Sequence, residues 1–325
     1  MKLGNAMLRM VAFGLLLCIA GASIAQQTYP DRPIRFITPY APGGSTDILA
    51  RFLGQKMTES WRQQVIVDNR PGGNTIIGSE AMVKSPPDGY TILLVTSGHV
   101  INQHLLTTPY DAIKDFAAVA TVARGEFLLV VHPSVPANNL REFIALAKAK
   151  PGQLNYASSG AGSSTHLATE FFNIVADVKM QHIPYKGGGP ALTDLLGGQV
   201  QVSFNVPIAL LPHVKSGKLR AIAISGEARM AALPQVPTFA EAGLPSYEMS
   251  NWYGVLAPAA TPKPIIDRLG AELSRILALP DSQTKLLAQG MNPFISTPEK
   301  FGALMKADLA KYGKIIKTAN VKLEN

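Results

Sequence analysis

A single cysteine, Cys18, occurs in 325 residues, and it falls inside an N-terminal leader. The chain beyond the leader therefore has no disulfide, no cysteine nucleophile and no thiolate metal site. Long apolar runs are equally scarce. The leader reads Lys2 and Arg9, an apolar run from Met10 to Ala20, then Gly21-Ala22-Ser23-Ile24-Ala25 with small residues three and one before Gln26. That order is a secretory signal peptide spanning residues 1 to 25, cut before Gln26. Its apolar run is too short to cross a bilayer comfortably, and no later segment is long enough. Cys18 comes after Leu15-Leu16-Leu17, where lipidation would need a small residue. The expected location is the periplasm, and the exported chain relies on a core instead of covalent staples.

Clustered charge is missing as well. Removing Lys2 and Arg9 lowers the formal net charge from +8 to +6. The remaining Lys and Arg residues are scattered, which excludes a nucleic-acid footprint and leaves acidic ligands or an anionic membrane surface. Catalytic patterns are absent too. No Gly-x-Ser-x-Gly elbow is present. Ser164 and His166 sit two apart on a helix and face apart. His99 and His104 are five apart with no His-Glu cluster, so no metal site is expected. Lys186 and Lys218 lie near glycines without Walker spacing. Gly160-Ala161-Gly162-Ser163-Ser164-Thr165 lacks the third glycine and the acidic partner of a dinucleotide fingerprint. No cofactor and no catalysis are expected.

What is present is alternation of strand and helix patterns. Strands are expected at Ile34–Thr38, Val65–Val67, Thr91–Thr96, Val119–Ala123, Leu128–Val131, Leu154–Ala157, Met180–Ile183, Val200–Phe204, Ala221–Ser225 and Trp252–Leu256. A helix over Ser45–Trp61 puts Ile48, Leu49, Phe52, Leu53 and Met57 on one face. Asn139 reads as a helix cap with Glu142 reciprocating, and Pro151-Gly152 ends that helix. Late helices start near Pro262, Asp281 and Pro298. Trp252 and Tyr253 read as hinge or core aromatics, with core the plainer reading. About three hundred residues in this pattern suit two α/β domains with mostly parallel sheets flanked by helices. Their ligand belongs beyond the strand carboxyl ends.

Two glycine- and serine-rich turns stand where a strand hands over to a helix. The first is Thr38-Pro39-Tyr40-Ala41-Pro42-Gly43-Gly44-Ser45-Thr46-Asp47. The second is Tyr156-Ala157-Ser158-Ser159-Gly160-Ala161-Gly162-Ser163-Ser164-Thr165-His166. Such turns aim backbone N–H groups and the positive end of a helix dipole at one spot, which holds an anion without a cationic side chain. Tyr40, Ala41, Pro42, Gly43, Gly44, Ser159, Gly160, Ala161, Gly162, Ser163 and Ser164 are the candidate ligand residues on these turns. Each glycine also has the plainer role of a tight turn, and the serines that of helix caps. Asp47 can cap the first helical turn and pair with Arg51, or meet a ligand through water. Lys186 is a surface lysine or a rim contact beside Gly187. Ser97 and Asn205 complete the candidates.

The residues also resemble a known family. Tyr29-Pro30-x-x-Pro33-Ile34-Arg35, Pro42-Gly43-Gly44-x-x-Asp47, Asp68-Asn69-Arg70-Pro71-Gly72, Pro87-Asp88-Gly89-Tyr90-Thr91 and Asn155-Tyr156-Ala157-Ser158-Ser159-Gly160 are similar to segments of the Bug family. Later matches include His182-Ile183-Pro184-Tyr185-Lys186-Gly187, Gly217-Lys218-Leu219-Arg220 and Val236-Pro237-Thr238-x-x-Glu241-Ala242-Gly243. These are the extracytoplasmic solute receptors of tripartite tricarboxylate transporters. The resemblance implies a two-lobed periplasmic binding protein, a Venus-flytrap hinge and a small carboxylate-bearing ligand. Two departures stand out. The loop Gly73-Asn74-Thr75-Ile76-Ile77-Gly78 is bulkier than the family's glycine-rich version. Asn205 stands where many members carry Asp, which favours a plain organic acid over an amino acid.

The expectation is therefore a monomeric carboxylate receptor serving membrane transporter subunits. Lobe one takes residues 26–124 and 252–325, and lobe two takes 125–251. A periplasmic hydrolase using Ser164 or Ser97, and a receptor read by a sensor kinase, are the alternatives.

Overall fold

A computed structural model describes residues 29–318; the leader and its cleavage site lie outside them. In chain order the elements are β1 (Ile34–Thr38), α1 (Ser45–Trp61), β2 (Val65–Asn69), α2 (Ile76–Val83), β3 (Thr91–Thr96), α3 (Gly98–Leu105), β4 (Phe116–Glu126), β5 (Leu128–Val131), α4 (Leu140–Ala149), β6 (Asn155–Ser158), α5 (Ser164–Val175), β7 (Gln181–Pro184), α6 (Gly188–Leu196), β8 (Val202–Asn205), α7 (Pro207–Lys215), β9 (Arg220–Ile224), β10 (Ser250–Pro258), α8 (Lys263–Ala278), α9 (Pro280–Ala288), β11 (Asn292–Pro293) and α10 (Pro298–Thr318). From Arg32 onward they form one compact unit. No helix among the described residues is long and apolar enough to cross a membrane.

Local signals explain the elements. In α1 the residues Leu49, Ala50, Leu53 and Met57 are fully buried, at the spacing of one helical face. Arg62 ends that helix in the left-handed region, its N–H donating to Thr58 O. The cap of α4 forms as its sequence requires, with one shift. Asn139 Oδ1 accepts the Glu142 N–H at 2.9 Å, but Glu142 Oε2 accepts from Asn138 N–H at 2.7 Å, one residue earlier than a standard reciprocal cap.

The strands build two sheets, β11-β4-β10-β3-β1-β2 and β7-β6-β8-β5-β9. The α/β, two-lobed reading holds, but the sheets are mixed instead of mostly parallel. The reason lies in how the chain moves between them. Strands β1, β2 and β3 are parallel, as are β6, β7 and β8, because helices return the chain between them. The chain passes from β4 to β5 through Phe127 alone, and comes back into the first sheet at β10. A strand that enters a sheet from the side where the others end must run against them. So β5 is antiparallel to β8 and β9, and β10 to β3 and β4. The two crossings are tied together: Phe127 N–H donates to Ser225 Oγ at 2.8 Å, and Ser225 N–H donates to Phe127 O at 2.9 Å.

Each sheet has its own apolar packing. Behind the second sheet, Phe172 of α5 meets Phe143, Phe204, Phe239 and Tyr247 at ring separations of 5.0 to 6.0 Å. Emptying such a site costs about 3–5 kcal/mol, so α5 is firmly seated. That anchor matters because the start of α5 belongs to the site.

Candidate functional site

The carboxyl ends of both sheets converge on a small cavity of about 20 Å³, room by that measure for one or two waters or one carboxylate head. From the first sheet come Tyr40, Gly44, Ser45 and Thr46 after β1, Thr96 at the end of β3, and Asn251 and Tyr253 at the start of β10. From the second come Ser159, Ser164 and Thr165 after β6, Gly188 after β7, and Asn205 at the end of β8. This is the position that open α/β sheets give to ligands. No lining residue carries a charge.

The lining is rich in oriented neutral donors. Gly44 stands at the N-cap of α1 and Gly187 at that of α6, and neither helix start has a side-chain cap. Their first amides have no partner within the helix and carry its positive end. Asn205 Oδ1 accepts the Val206 N–H at 2.8 Å. Asn251 Oδ1 accepts from Ser97 Oγ at 2.8 Å and Ser97 N–H at 3.3 Å. With both amide oxygens occupied, the NH₂ groups are what these side chains can offer a ligand. Tyr40 OH bonds Thr96 Oγ1 at 3.0 Å, and Tyr253 OH donates to Ser45 Oγ at 2.8 Å. Burial pushes the Tyr40 hydroxyl up to about 12 and raises that of Tyr253 further, so both stay protonated. Such a lining can hydrogen-bond an anion through hydroxyls, amides and helix starts, and it places no charged side chain against it.

Local structure behind this lining is stiff. Asp47 is buried and accepts from Gly43 N–H at 3.0 Å, Asn69 Nδ2 at 3.0 Å and Arg51 Nη2 at 2.9 Å. Burial alone would raise its carboxyl; the bonds from Arg51, Gly43 and Asn69 hold it below the usual range. Across the cavity, His166 Nδ1 accepts the Gly162 N–H at 3.0 Å. His166 stacks on His182 with ring centres 3.9 Å apart, and His182 on Tyr156 at 4.9 Å. Burial, with His182 beside it, pushes His166 down to about 3, and burial pushes His182 to about 4. Both are neutral props. His182 Nε2 bonds Ser158 Oγ at 2.6 Å, but Ser158 is 1% exposed and also bonds Gly160. That serine–histidine pair does not face the cavity.

A family model described as the tripartite tricarboxylate transporter family receptor matches residues 49–321. The chain belongs to this family. Among tripartite tricarboxylate receptor relatives, protein BugT of Bordetella pertussis is 37% identical over 324 residues, covering 98% of this chain and 99% of BugT. The periplasmic binding protein BugD superposes with a TM-score of 0.87 at 31% identity, covering 91% of this chain and all of BugD's. An R. palustris protein solved with adipate gives 0.87 at 33%, covering 90% of this chain and 99% of its own. MatC from Rhodopseudomonas palustris, solved with bound malate, gives 0.84 at 29%, covering 89% and 100%.

Within this receptor-family fold, the residues singled out from sequence divide into groups. Tyr40, Gly44, Ser159, Ser164 and Asn205 line the cavity. Ala41, Pro42 and Gly43 lie in an outer groove on the far side of the same turn. The Ala41 N–H is spent on Lys186 O at 2.9 Å, so Lys186 meets the turn through its carbonyl while its side chain is exposed. A Cβ on Gly187 would sit 2.7 Å from Ala41 N, a close approach of two backbones. Gly160, Ala161, Gly162 and Ser163 form the turn behind Ser164, with Ser163 capping α5 through the His166 N–H. Asp47 and Ser97 stand one layer back. The residues that sequence reasoning passed over are Ser45, Thr46, Thr96, Thr165, Gly188, Asn251 and Tyr253. Tyr253 of β10, read as a core aromatic, is buried, but its hydroxyl bonds Ser45 and the residue lines the cavity. The polar Asn251 two positions earlier, 2% exposed, is the signal that this strand lines a site.

Proposed function

We propose that this receptor captures a small organic acid in the cavity between its two sheets and hands it to a membrane partner of its transporter family. The observation that supports the reading is the convergence of neutral donors from the ends of both sheets on a cavity without charged lining. Family members solved with adipate and malate point to the same ligand chemistry. The lobes of this reading are residues 26–124 with 252–325, and 125–251, which keep each sheet whole apart from the strand ends at the crossings. Ligand contacts come from the first turns of α1, α5 and α6, from the hydroxyls of Tyr40, Thr96 and Tyr253, and from the amides of Asn205 and Asn251. The protein works in the periplasm after cleavage before Gln26.

The magnitudes are sufficient. Each hydrogen bond to a charged group contributes roughly 1.5–3 kcal/mol, and each helix start about 0.3–1, rising to about 2 when partly buried. Several together support micromolar affinity, near −8 kcal/mol, after association costs. Closure then arises from the ligand's extra contacts in the closed state. A serine hydrolase finds no support here, since Ser97 Oγ donates to Asn251 and His166 serves Gly162. The deciding measurement is calorimetry with malate and adipate beside their diamides. The acids should bind and the diamides should bind at least tenfold more weakly. Equal affinities would refute carboxylate capture.

A further inference from the structure

The two turns that meet across the cavity touch through main chain. Ala41 N–H donates to Lys186 O at 2.9 Å. A Cβ on Gly44 would stand 3.1 Å from Gly188 N and 3.2 Å from Gly188 Cα. A Cβ on Gly189 would fall inside the van der Waals shell of the Pro42 carbonyl oxygen. That obstacle is backbone, so no side-chain rotation relieves it. Yet Gly189 has an ordinary helical conformation in the first turn of α6 and lies outside the inner cavity, on the outer groove. Neither positive φ nor ligand contact accounts for glycine there.

We infer that Gly189 is a positioning residue for ligand capture: its missing side chain is what allows the turn after β1 and the start of α6 to close on each other. The inference rests on the proposal that closure around an acid is how the protein binds. With the lobes together, a methyl at 189 collides with Pro42. With the lobes apart, it meets solvent, and alanine suits a helix better than glycine. A larger residue therefore acts as a wedge that holds the protein open while leaving the cavity lining and the fold intact. Gly197 supplies the control. It ends the same helix, and a Cβ there meets Thr193 O at an ordinary 3.5 Å.

The experiment compares wild type, Gly189→Ala and Gly197→Ala. Each is titrated with malate and with adipate in a calorimeter and by small-angle scattering, and hydrogen exchange of the Ala41 amide is tracked by NMR with and without saturating acid. Gly189→Ala should unfold at the wild-type temperature and bind the acids at least tenfold more weakly. It should show no fall in radius of gyration at acid concentrations that compact the wild type. With acid present, its Ala41 amide should exchange at least tenfold faster than that of acid-bound wild type, because the bond to Lys186 O no longer forms. Gly197→Ala should match wild type throughout. An Ala41 amide as well protected in acid-treated Gly189→Ala as in acid-bound wild type overturns the wedge. Affinity within threefold of wild type together with normal compaction overturns it as well. A wild type that takes up neither acid overturns the capture reading and, with it, the closure that the wedge would block; a wild type that binds while Gly189→Ala matches it overturns the wedge alone.

Discussion

After β1, one amide of the turn goes to Asp47 and the uncapped start of α1 opens onto the cavity. After β6, the turn spends its amides on itself: Ser159 N–H on Thr165 Oγ1 at 2.9 Å, Gly160 N–H on Ser158 Oγ at 3.1 Å, Gly162 N–H on His166 Nδ1 at 3.0 Å. The second turn reaches the cavity at Ser159 and, beyond its cap, at Ser164 and Thr165. Both stretches are rich in glycine and other small residues, yet their uses differ. Glycine and serine after a strand announce backbone donors, but whether those donors face a ligand depends on which neighbouring side chains claim them. An aspartate that takes one amide leaves a helix start free; a serine, a threonine and a histidine that take three build a rigid wall.

The largest difference should appear in acid. His166 and His182 are both depressed by burial, from 6.5 to about 3 and about 4. The unfolded chain therefore binds protons at these sites first as pH falls. Their contribution is complete above pH 6.5 and is lost progressively as pH drops toward their folded values. At about 1.4 kcal/mol per pH unit per site, the pair should lose on the order of 3–5 kcal/mol between pH 7 and pH 4.5. Asp47 behaves oppositely in position: its folded value lies below 3.8, so its contribution is present above that and fails only in stronger acid. Urea unfolding across this range, for wild type and for His166→Gln with His182→Gln, reads the effect. A flat profile in wild type, or an unchanged slope in the double variant, would show that the stacked pair is not the acid-labile part.

Much of this arrangement is legible in the residues. Strand ends, the helix over Ser45–Trp61 and the Asn139 cap come from apolar spacing and local hydrogen bonding, and they match the observed elements to within a few residues. Strand direction is not local. It depends on where the chain enters a sheet, and nothing in Leu128–Val131 states that it comes through a one-residue crossing. The same limit applies to the cavity. The turn after β1 is visible as a ligand element because its donors are contiguous. Asn251, Tyr253 and Thr96 become neighbours only when β10 is laid against β3, and buried polar residues inside apolar strands are the trace they leave.

The first turn carries the sharper test of donor use. Ser45 is the first helical residue of α1, preceded by Gly44 in an extended conformation with φ −85° and ψ 172°. Proline fits that position, since its missing N–H has no helical partner and its predecessor is already extended. Ser45→Pro removes the amide and the hydroxyl that accepts from Tyr253; Ser45→Ala removes the hydroxyl alone. The difference between them isolates one amide facing a carboxylate, about 1.5–3 kcal/mol, or roughly ten- to a hundredfold in affinity for malate or adipate. Thermal unfolding should barely separate the two variants. Equal affinities would mean that the start of α1 does not donate to the ligand, and the contrast between the turns would collapse.

The smallest effect is expected at Lys186, whose main chain meets the turn after β1. Its side chain is exposed, and what it gives the closed form is its carbonyl, which accepts the Ala41 N–H. Lys186→Ala keeps that carbonyl and removes only the ammonium. An exposed charge outside the cavity steers an anion during approach, an effect that salt screens, and adds little once the ligand is bound. Affinity for malate should change by less than about twofold, under about 0.4 kcal/mol, with a modest fall in association rate that vanishes at high salt. Stopped-flow binding at low and high ionic strength measures both. A tenfold loss of affinity that persists in salt would place the ammonium on the ligand. The uncharged lining would then be insufficient, and a salt bridge, not oriented amides, would hold the acid.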